Sequence, residues 1–280
     1  MTSYRPSPRP TFSGPTAIPA ATVTRHVWGN AEAGEVADWI YASTDRIHCL
    51  RFGLAPGGRF EHSPDFRTVF GADEVMHVLQ GTLVLANPET GEVQRLDAGQ
   101  SVFFRSDTWH HAFAHGPEPL RVLEFFAPPP STGSSGPYAR TRPYLEPTAW
   151  RYVDDALLGR LPGGVPERRT LVPVREPEIV WRREGDALVG LLASTEHLTA
   201  GLLELGPGKT SARHAHGGDE LLYLLAGSLF VRAWHDDEVH VFELGPGDAA
   251  YLPEGAEHEY RSYGDGLTRA VFGVAPAYAA

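Results

Sequence analysis

Several residue types are scarce in this sequence, and each shortage excludes a class of protein. Cys49 is the only cysteine, so neither an intramolecular disulfide nor a cysteine-based zinc cluster can form. Lys209 is the only lysine, which leaves one candidate for any lysine-dependent phosphate binding or Schiff-base chemistry. With 24 basic and 35 acidic residues, the formal net charge is −11. That sign argues against nucleic acid or an anionic membrane surface as a partner.

Long apolar runs are also missing. No stretch reaches the roughly 18 consecutive apolar residues of a membrane span, so we expect none. The first 20 residues are rich in proline, serine and threonine and lack the apolar stretch of a signal peptide, so we expect a cytoplasmic protein. Hydrophobic residues nevertheless make up 42% of the 280 residues, which is enough for a sizeable core and about two domains.

Helical periodicity is nearly absent, and one short helix is expected over 154–160. Short apolar runs separated by Gly, Pro, Asp and Asn occupy 47–128 and 188–276. Runs of this length at a spacing of about 8–12 residues predict an all-β sandwich or barrel.

The two β-rich stretches repeat one pattern. GADEVMHVLQGTLVL resembles GGDELLYLLAGSLFV, and further on DAGQSVFFRSDTWHH resembles GPGDAAYLPEGAEHE. Two similar blocks in the same order predict a tandem duplication of one β domain. Whether the proline-rich arm is disordered or packs on the other domain stays open. We place a proline-rich arm at 1–20, an N-terminal domain at 21–130, a linker at 131–169 and a C-terminal domain at 170–280.

Four residues of the second repeat have the chemistry of metal ligands. His214 and His216 are two apart on a predicted strand, so both imidazoles point to one face. Glu220 follows a Gly-Gly turn, and His258 comes from a distant strand that a closed β fold can place opposite. Three imidazole nitrogens and one carboxylate oxygen suit a divalent transition metal, and an octahedral ion would keep two positions open.

These blocks resemble the two sequence motifs of the cupin superfamily, and the whole chain resembles a bicupin. The resemblance covers about two-thirds of the chain. It implies two tandem jelly-roll (double-stranded β-helix) domains. It also implies that His214, His216, Glu220 and His258 are the metal ligands, as in dioxygenase-like members of the family.

The first repeat departs from this pattern. Glu74 and His110 match ligand positions, whereas the segment that should carry two histidines offers only His62 or Asp65. One interpretation is an altered metal site built from Glu74, His110 and either His62 or Asp65. The other is a metal-free domain kept for architecture or ligand binding. The second is favoured, because fewer than three good ligands rarely hold a divalent ion firmly.

This site is compatible with three classes of function. An Fe(II) dioxygenase acting on a small enol, phenol or keto acid is favoured, because the ligand set suits Fe(II). A redox-neutral isomerase, decarboxylase or hydrolase would use Mn, Zn, Ni or Co as a Lewis acid. The third class is a non-enzymatic small-ligand-binding protein.

One catalytic residue and two kinds of partner are expected. Tyr260 alternates with His258, so its phenol should line the same cavity and donate a hydrogen bond or a proton. The expected ligand is a small-molecule substrate. A homodimer is also expected, because it would cover exposed strand edges.

Overall fold

The computed structural model describes residues 8–31, 34–61, 68–87, 90–129, 139–141 and 170–279. Their regular structure is almost entirely strand. The helical elements among them are two 3-10 turns, η1 (Ala20–Thr22) and η2 (Glu176–Glu178). The helix expected over 154–160 lies outside the described residues. Among the described residues, the structure contains no helix with the length and apolarity that a membrane crossing requires.

Within the described ranges, every regular segment outside the two turns is a β-strand. The described part of the first half contains β1 (Thr16–Ile18), β2 (Arg25–Asn30), β3 (Gly34–Ser43), β4 (His48–Leu54), β5 (Arg59–Phe60), β6 (Thr68–Phe70), β7 (Asp73–Gln80), β8 (Thr82–Asn87), β9 (Glu92–Asp97), β10 (Ser101–Phe104), β11 (His111–His115), β12 (Leu120–Ala127) and β13 (Ala139–Thr141). The second half contains β14 (Val172–Val174), β15 (Trp181–Glu184), β16 (Ala187–Ser194), β17 (Thr199–Leu205), β18 (Asp219–Ala226), β19 (Leu229–His235), β20 (Glu238–Leu244), β21 (Ala249–Leu252), β22 (Glu257–Ser262) and β23 (Thr268–Ala275).

Each half contains two antiparallel sheets around its own core, and β6 and β13 of the first half form a further two-stranded sheet. The N-terminal half has a seven-stranded sheet, β14-β10-β7-β12-β4-β3-β2, and a four-stranded sheet, β5-β11-β8-β9. The C-terminal half has a seven-stranded sheet, β1-β21-β18-β23-β17-β16-β15, and a three-stranded sheet, β20-β19-β22. Buried apolar side chains from both sheets of each half form one cluster. The predicted all-β fold of two tandem jelly rolls is confirmed.

The repeated glycines turn the chain between corresponding strands. Gly81 joins β7 to β8 with a φ of 78°, and Gly227 joins β18 to β19 with a φ of 81°. A side chain is strained at such angles, whereas glycine is not. The hairpins therefore form at matching places in the two repeats.

The halves exchange their outermost strands. β1, from the proline-rich arm, pairs with β21 of the C-terminal half, with Thr16 opposite Tyr251 and Ile18 opposite Ala249. β14, which follows the linker, pairs in the same way with β10 of the N-terminal half. The described part of the arm thus packs on the other domain, one of the two outcomes that the sequence left open. Each exchanged strand covers an edge that would otherwise expose unpaired backbone groups.

A third apolar cluster joins the two halves. It contains buried side chains from both sides, among them Tyr41 and Phe125 from the first half and Leu202 and Val271 from the second. β12 and β23 are buried on almost their whole length. Because two apolar faces meet here, the seven-stranded sheets are covered on both sides.

The contact between halves also has a repeated polar element. The Thr44 hydroxyl donates to Asp219 Oδ2 at 3.2 Å, and the Thr195 hydroxyl donates to Asp73 Oδ2 at 2.7 Å. Both threonines lie in an Ala-Ser-Thr turn that occurs once in each half. Each aspartate immediately precedes the glutamate expected to be a site residue. The domain contact therefore reaches the start of the strand that carries each glutamate.

Candidate metal centre

The structure brings together the four residues expected to be ligands in the second repeat. His214 and His258 face each other across an antiparallel bridge, with backbone N–H···O distances of 3.0 and 2.8 Å. His216 lies two residues after His214, and Glu220 is the second residue of β18. One ligand atom from each of the four lies within 4.8 Å of the others.

Backbone carbonyls fix the protonation of the three imidazoles. His214 and His258 each place Nδ1 near the carbonyl oxygen two residues earlier, at 2.8 and 2.9 Å. His216 Nδ1 lies 2.5 Å from the carbonyl oxygen of Tyr278. A carbonyl oxygen only accepts, so each Nδ1 carries a proton, and in the neutral ring the lone pair is on Nε2. The Nε2 atom of each ring is therefore the one that can bind an ion.

The atoms that face one another in this site lack hydrogen-bond partners. His258 Nε2 lies 3.0 Å and His216 Nε2 lies 3.4 Å from Glu220 Oε2. Glu220 Oε2 and His258 Nε2 are nonetheless buried without a hydrogen bond. Burial opposes ionisation of Glu220, yet His216 and His258 hold its pKa well below the usual range. Buried, unsatisfied polar atoms are costly, and a divalent cation would satisfy them together, so the residues present fit such an ion.

A narrow cavity adjoins these side chains, and a small molecule bound in it would contact the four candidate ligands. Its walls combine aliphatic and aromatic side chains with a few polar groups. The lining residues are Glu184, Ala187, Val189, Leu203, Ser211, His214, His216, Glu220, Tyr260, Phe272 and Tyr278.

Tyr260 lies in the cavity wall as the alternation with His258 predicts. Its side chain is 1% exposed, and its ring centre is 5.2 Å from that of His258. Burial and then the negative charge of Glu220 raise the pKa of Tyr260 well above its ordinary value, so the phenol keeps its proton. Its hydroxyl has no hydrogen-bond partner among the described residues. The group is therefore available to a bound molecule.

Tyr278 is a cavity residue that sequence reasoning missed. Its ring lies 4.5 Å from that of His216, and its hydroxyl donates to Glu184 Oε2 at 3.2 Å. The Arg182 guanidinium lies 4.9 Å from the centre of the same ring. Tyr278 lies outside both repeated motifs, and a carbonyl acceptor leaves no mark in residue type, so no sequence signal pointed to it.

The first repeat has a different cluster. Glu74 and His110 come together, but the third member is Glu124 of β12, and the three ligand atoms lie within 4.8 Å of one another. His62 and Asp65, the alternatives expected from the sequence, lie outside the described residues. Glu124 was missed because it lies inside an apolar strand, LRVLEFFA, where its orientation depends on pairing.

Burial dominates the electrostatics of this second cluster. It raises the pKa of Glu124 to about 8. It also raises the pKa of Glu74 well above its ordinary value, and the negative charge of Glu124 adds to this. The pKa of His110 falls to about 4, because burial disfavours the charged imidazolium. The cluster thus combines a neutral imidazole with two carboxyl groups that resist ionisation together.

The folded chain is a two-domain jelly-roll protein with a candidate metal centre in its C-terminal domain. Its sequence matches the cupin domain family over residues 52–126 and again over residues 201–273. These matches cover more than half of the chain, so it belongs to the cupin superfamily and carries two cupin domains. No curated protein sequence matches it.

The solved structures similar to this chain include oxalate decarboxylases. A variant from Bacillus subtilis aligns with a TM-score of 0.65 and 13% identity, over 97% of this chain and 79% of that chain. The formate complex from Lactobacillus farciminis aligns with a TM-score of 0.63 and 13% identity, over 96% and 88%. A further structure of the Bacillus subtilis enzyme, with a TM-score of 0.65 and 13% identity over 97% and 79%, concerns its Mn(II) centres. At this identity, the similarity establishes the fold.

Proposed function

We propose that this protein is a metal-dependent enzyme that binds one divalent ion through His214, His216, Glu220 and His258. The observation that carries the proposal is the convergence of three carbonyl-anchored imidazoles on a buried carboxylate oxygen that has no hydrogen-bond partner. An ion at this position would act as a Lewis acid on an oxygen atom of the substrate.

Charge and wall chemistry support a small monoanionic substrate. One carboxylate against a divalent ion leaves the centre with a net charge of about +1, which one carboxylate or enolate group would balance. Among the described residues, no arginine or lysine lines the cavity, so a second negative charge would lack a partner. Val189, Leu203 and Phe272 supply an apolar wall. A small keto or hydroxy acid, or an enol, with an apolar substituent meets these conditions.

Redox-neutral cleavage, with decarboxylation as the first reaction to test, has two supports. The fold resembles oxalate decarboxylases over 97% of the chain. Tyr260 keeps a proton in the cavity wall beside the ligands, as a lyase requires. The carbon–carboxylate bond would break with loss of CO2, and the electron pair left on carbon would take the proton of the Tyr260 hydroxyl. Water would later return a proton to the phenolate.

Oxygenation is the second candidate, and the ligand set and the cavity wall are compatible with it. Three imidazoles and one carboxylate suit Fe(II), and the cation-free apolar wall suits a small enol or phenol. The same ligands serve both reactions. The metal that the protein retains and the gas that it consumes or releases therefore distinguish them.

The decisive experiment combines metal analysis with gas measurements. Protein purified without oxygen is analysed for metal, then reconstituted with Mn(II) or Fe(II) and given small keto acids, hydroxy acids and enols. CO2 release without O2 uptake supports the lyase, and O2 uptake by the iron form supports the oxygenase. If no compound causes CO2 release or O2 uptake, both reactions are contradicted, and a ligand-binding protein is favoured.

Substitutions test the ligand assignment separately. His216→Ala and Glu220→Ala should each bind one ion fewer per chain than the wild type, because each removes one of four donors. His240→Ala is the matched control, since His240 lies on β20 away from the cavity. Wild-type metal content in both ligand variants would refute the assignment.

A further inference from the structure

We propose that the N-terminal cupin domain binds a second divalent cation through Glu74, His110 and Glu124. This donor set has one nitrogen and two carboxylates, whereas the C-terminal set has three nitrogens and one carboxylate. The inference does not depend on the function proposed for the C-terminal centre, because the two clusters share no residue.

The three side chains reach one point from three places in the sheets. Glu74 lies on β7, Glu124 lies on β12, and His110 immediately precedes β11. All three are buried, and their ligand atoms lie within 4.8 Å of one another. Metal–ligand bonds of about 2.0–2.2 Å put opposite ligands about 4.2 Å apart, so one ion can bridge the cluster after small adjustments.

His110 is anchored as the C-terminal histidines are. Its Nδ1 lies 3.3 Å from the carbonyl oxygen of Thr108, two residues earlier. His258 makes the corresponding contact with Ala256. The proton is therefore on Nδ1, and the lone pair of Nε2 lies on the side of Glu74, whose Oε2 is 3.9 Å away.

The two buried carboxyl groups hydrogen-bond to each other, and no cationic side chain of the described residues offsets their charge. Glu74 is 1% exposed, and its Oε2 is buried with no hydrogen bond. Glu124 is 5% exposed, and within the described ranges no arginine or lysine forms an ion pair with either residue. Ionising both of these adjacent buried acids is costly without a compensating charge. A divalent cation that displaced their protons would supply that charge and leave the cluster neutral.

Comparison of the repeats shows that Glu124 is an addition to the cupin pattern. Glu124 pairs with Met76, and Phe272 pairs with Leu222. Met76 and Leu222 each lie two residues after the site glutamate of their own repeat, so Glu124 and Phe272 hold equivalent positions. The C-terminal cavity has a phenyl wall where the N-terminal cluster has a third donor. A carboxylate at an apolar wall position is expected only where it has something to bind.

The donor chemistry indicates the kind of ion. Carboxylate-rich sites favour hard divalent cations such as Mn²⁺ and Mg²⁺, whereas imidazole-rich sites favour later transition metals. We therefore choose Mn²⁺ as the probe, because its paramagnetism allows direct detection.

The test counts bound Mn²⁺ per chain by equilibrium dialysis and elemental analysis of the full-length protein. The wild type should bind two ions, and Glu124→Gln should bind one. Glu124→Phe introduces the residue found at this position in the other repeat, and it should also bind one ion. This variant replaces the glutamine variant in the test if the latter does not fold. Asp97→Asn removes an exposed carboxylate of the same domain and should bind two.

The outcomes separate this proposal from the function proposed above. If Glu124→Gln and Glu124→Phe both bind as many ions as the wild type, the second site does not exist. If the wild type binds one ion and Glu124→Gln binds none, the second site stands and the C-terminal assignment fails. Without metal, Glu124→Gln should melt no lower than the wild type, because it removes a buried acid. A clearly lower melting temperature of this variant without metal would count against the charge argument.

Discussion

The carbonyl oxygens of Ala212, Ala256 and Tyr278 decide what three histidines of the C-terminal domain can do. By accepting the Nδ1 protons, they leave Nε2 of each ring as the nitrogen that can bind an ion. Motif spacing predicts which imidazoles share a face, because side chains alternate along a strand. It does not predict the acceptors, since every residue has a carbonyl and only the folded backbone aims it.

Removal of one oxygen atom tests the expected role of Tyr260. Tyr260→Phe should lower kcat by about 100-fold or more while the bound metal stays at the wild-type level, because the role proposed for the phenol is to supply a proton and not to bind the ion. Steady-state kinetics and elemental analysis of the same preparation give both quantities. Tyr263→Phe is the control, since Tyr263 is half exposed on the surface. An unchanged kcat in Tyr260→Phe would remove this residue from the mechanism.

At the scale of elements, the exchanged strand β1 links the arm to the C-terminal domain. Ile18 is 7% exposed and belongs to the apolar cluster that joins the two halves. Its pairing partner in β21 is Ala249, far along the chain. Local patterns could not predict this pairing, because a three-residue strand in a proline-rich segment has no periodicity to detect.

Shortening the side chain of Ile18 should destabilise the folded protein. Ile18→Ala should lower the free energy of unfolding by about 2–4 kcal/mol, because it leaves a cavity among buried side chains. Denaturant unfolding followed by tryptophan fluorescence measures the change. Val27→Ala, at a position that is 51% exposed, should cost less than about 0.5 kcal/mol. Equal costs for the two variants would show that β1 does not stabilise the fold.

At the scale of the whole molecule, two Thr–Asp hydrogen bonds connect the domains. Thr195→Val should cost about 1–3 kcal/mol, because the buried Asp73 carboxylate loses a donor from the other domain. Thr22→Val is the control, since its hydroxyl bonds only to the nearby Pro19 carbonyl at an exposed position. Differential scanning calorimetry should show a lower melting temperature for Thr195→Val alone. Equal melting temperatures would mean that this bond adds nothing to the contact.

His77 gives the molecule a predictable response to acid. Burial, and then the positive charge of Arg269, lower its pKa from 6.5 to about 4. As the pH falls from 6.5 to 4, the unfolded chain takes up a proton that the folded chain refuses, so this contribution to stability is lost on acidification. The loss amounts to about 3 kcal/mol at about 1.4 kcal/mol per pH unit.

Comparing the pH dependence of unfolding of the wild type with that of His77→Gln separates the contribution of His77 from those of the other buried groups. Over this pH range, the wild type should lose about 3 kcal/mol more unfolding free energy than His77→Gln. Denaturant unfolding at several pH values gives the two slopes. His115→Gln, at an exposed position, should keep the wild-type slope. Parallel curves for the wild type and His77→Gln would show that His77 titrates alike in both states.

The sequence alone determined the all-β class, the duplication and the four clustered side chains of the second repeat. These features depend on short spacings and alternation, which act within one strand or hairpin. Only the tertiary structure decided that Glu124 joins Glu74, that Tyr278 orients His216, and that β1 and β14 change partners. Such contacts join segments far apart in the chain, and they form because whole sheets pack together, so no local pattern encodes them.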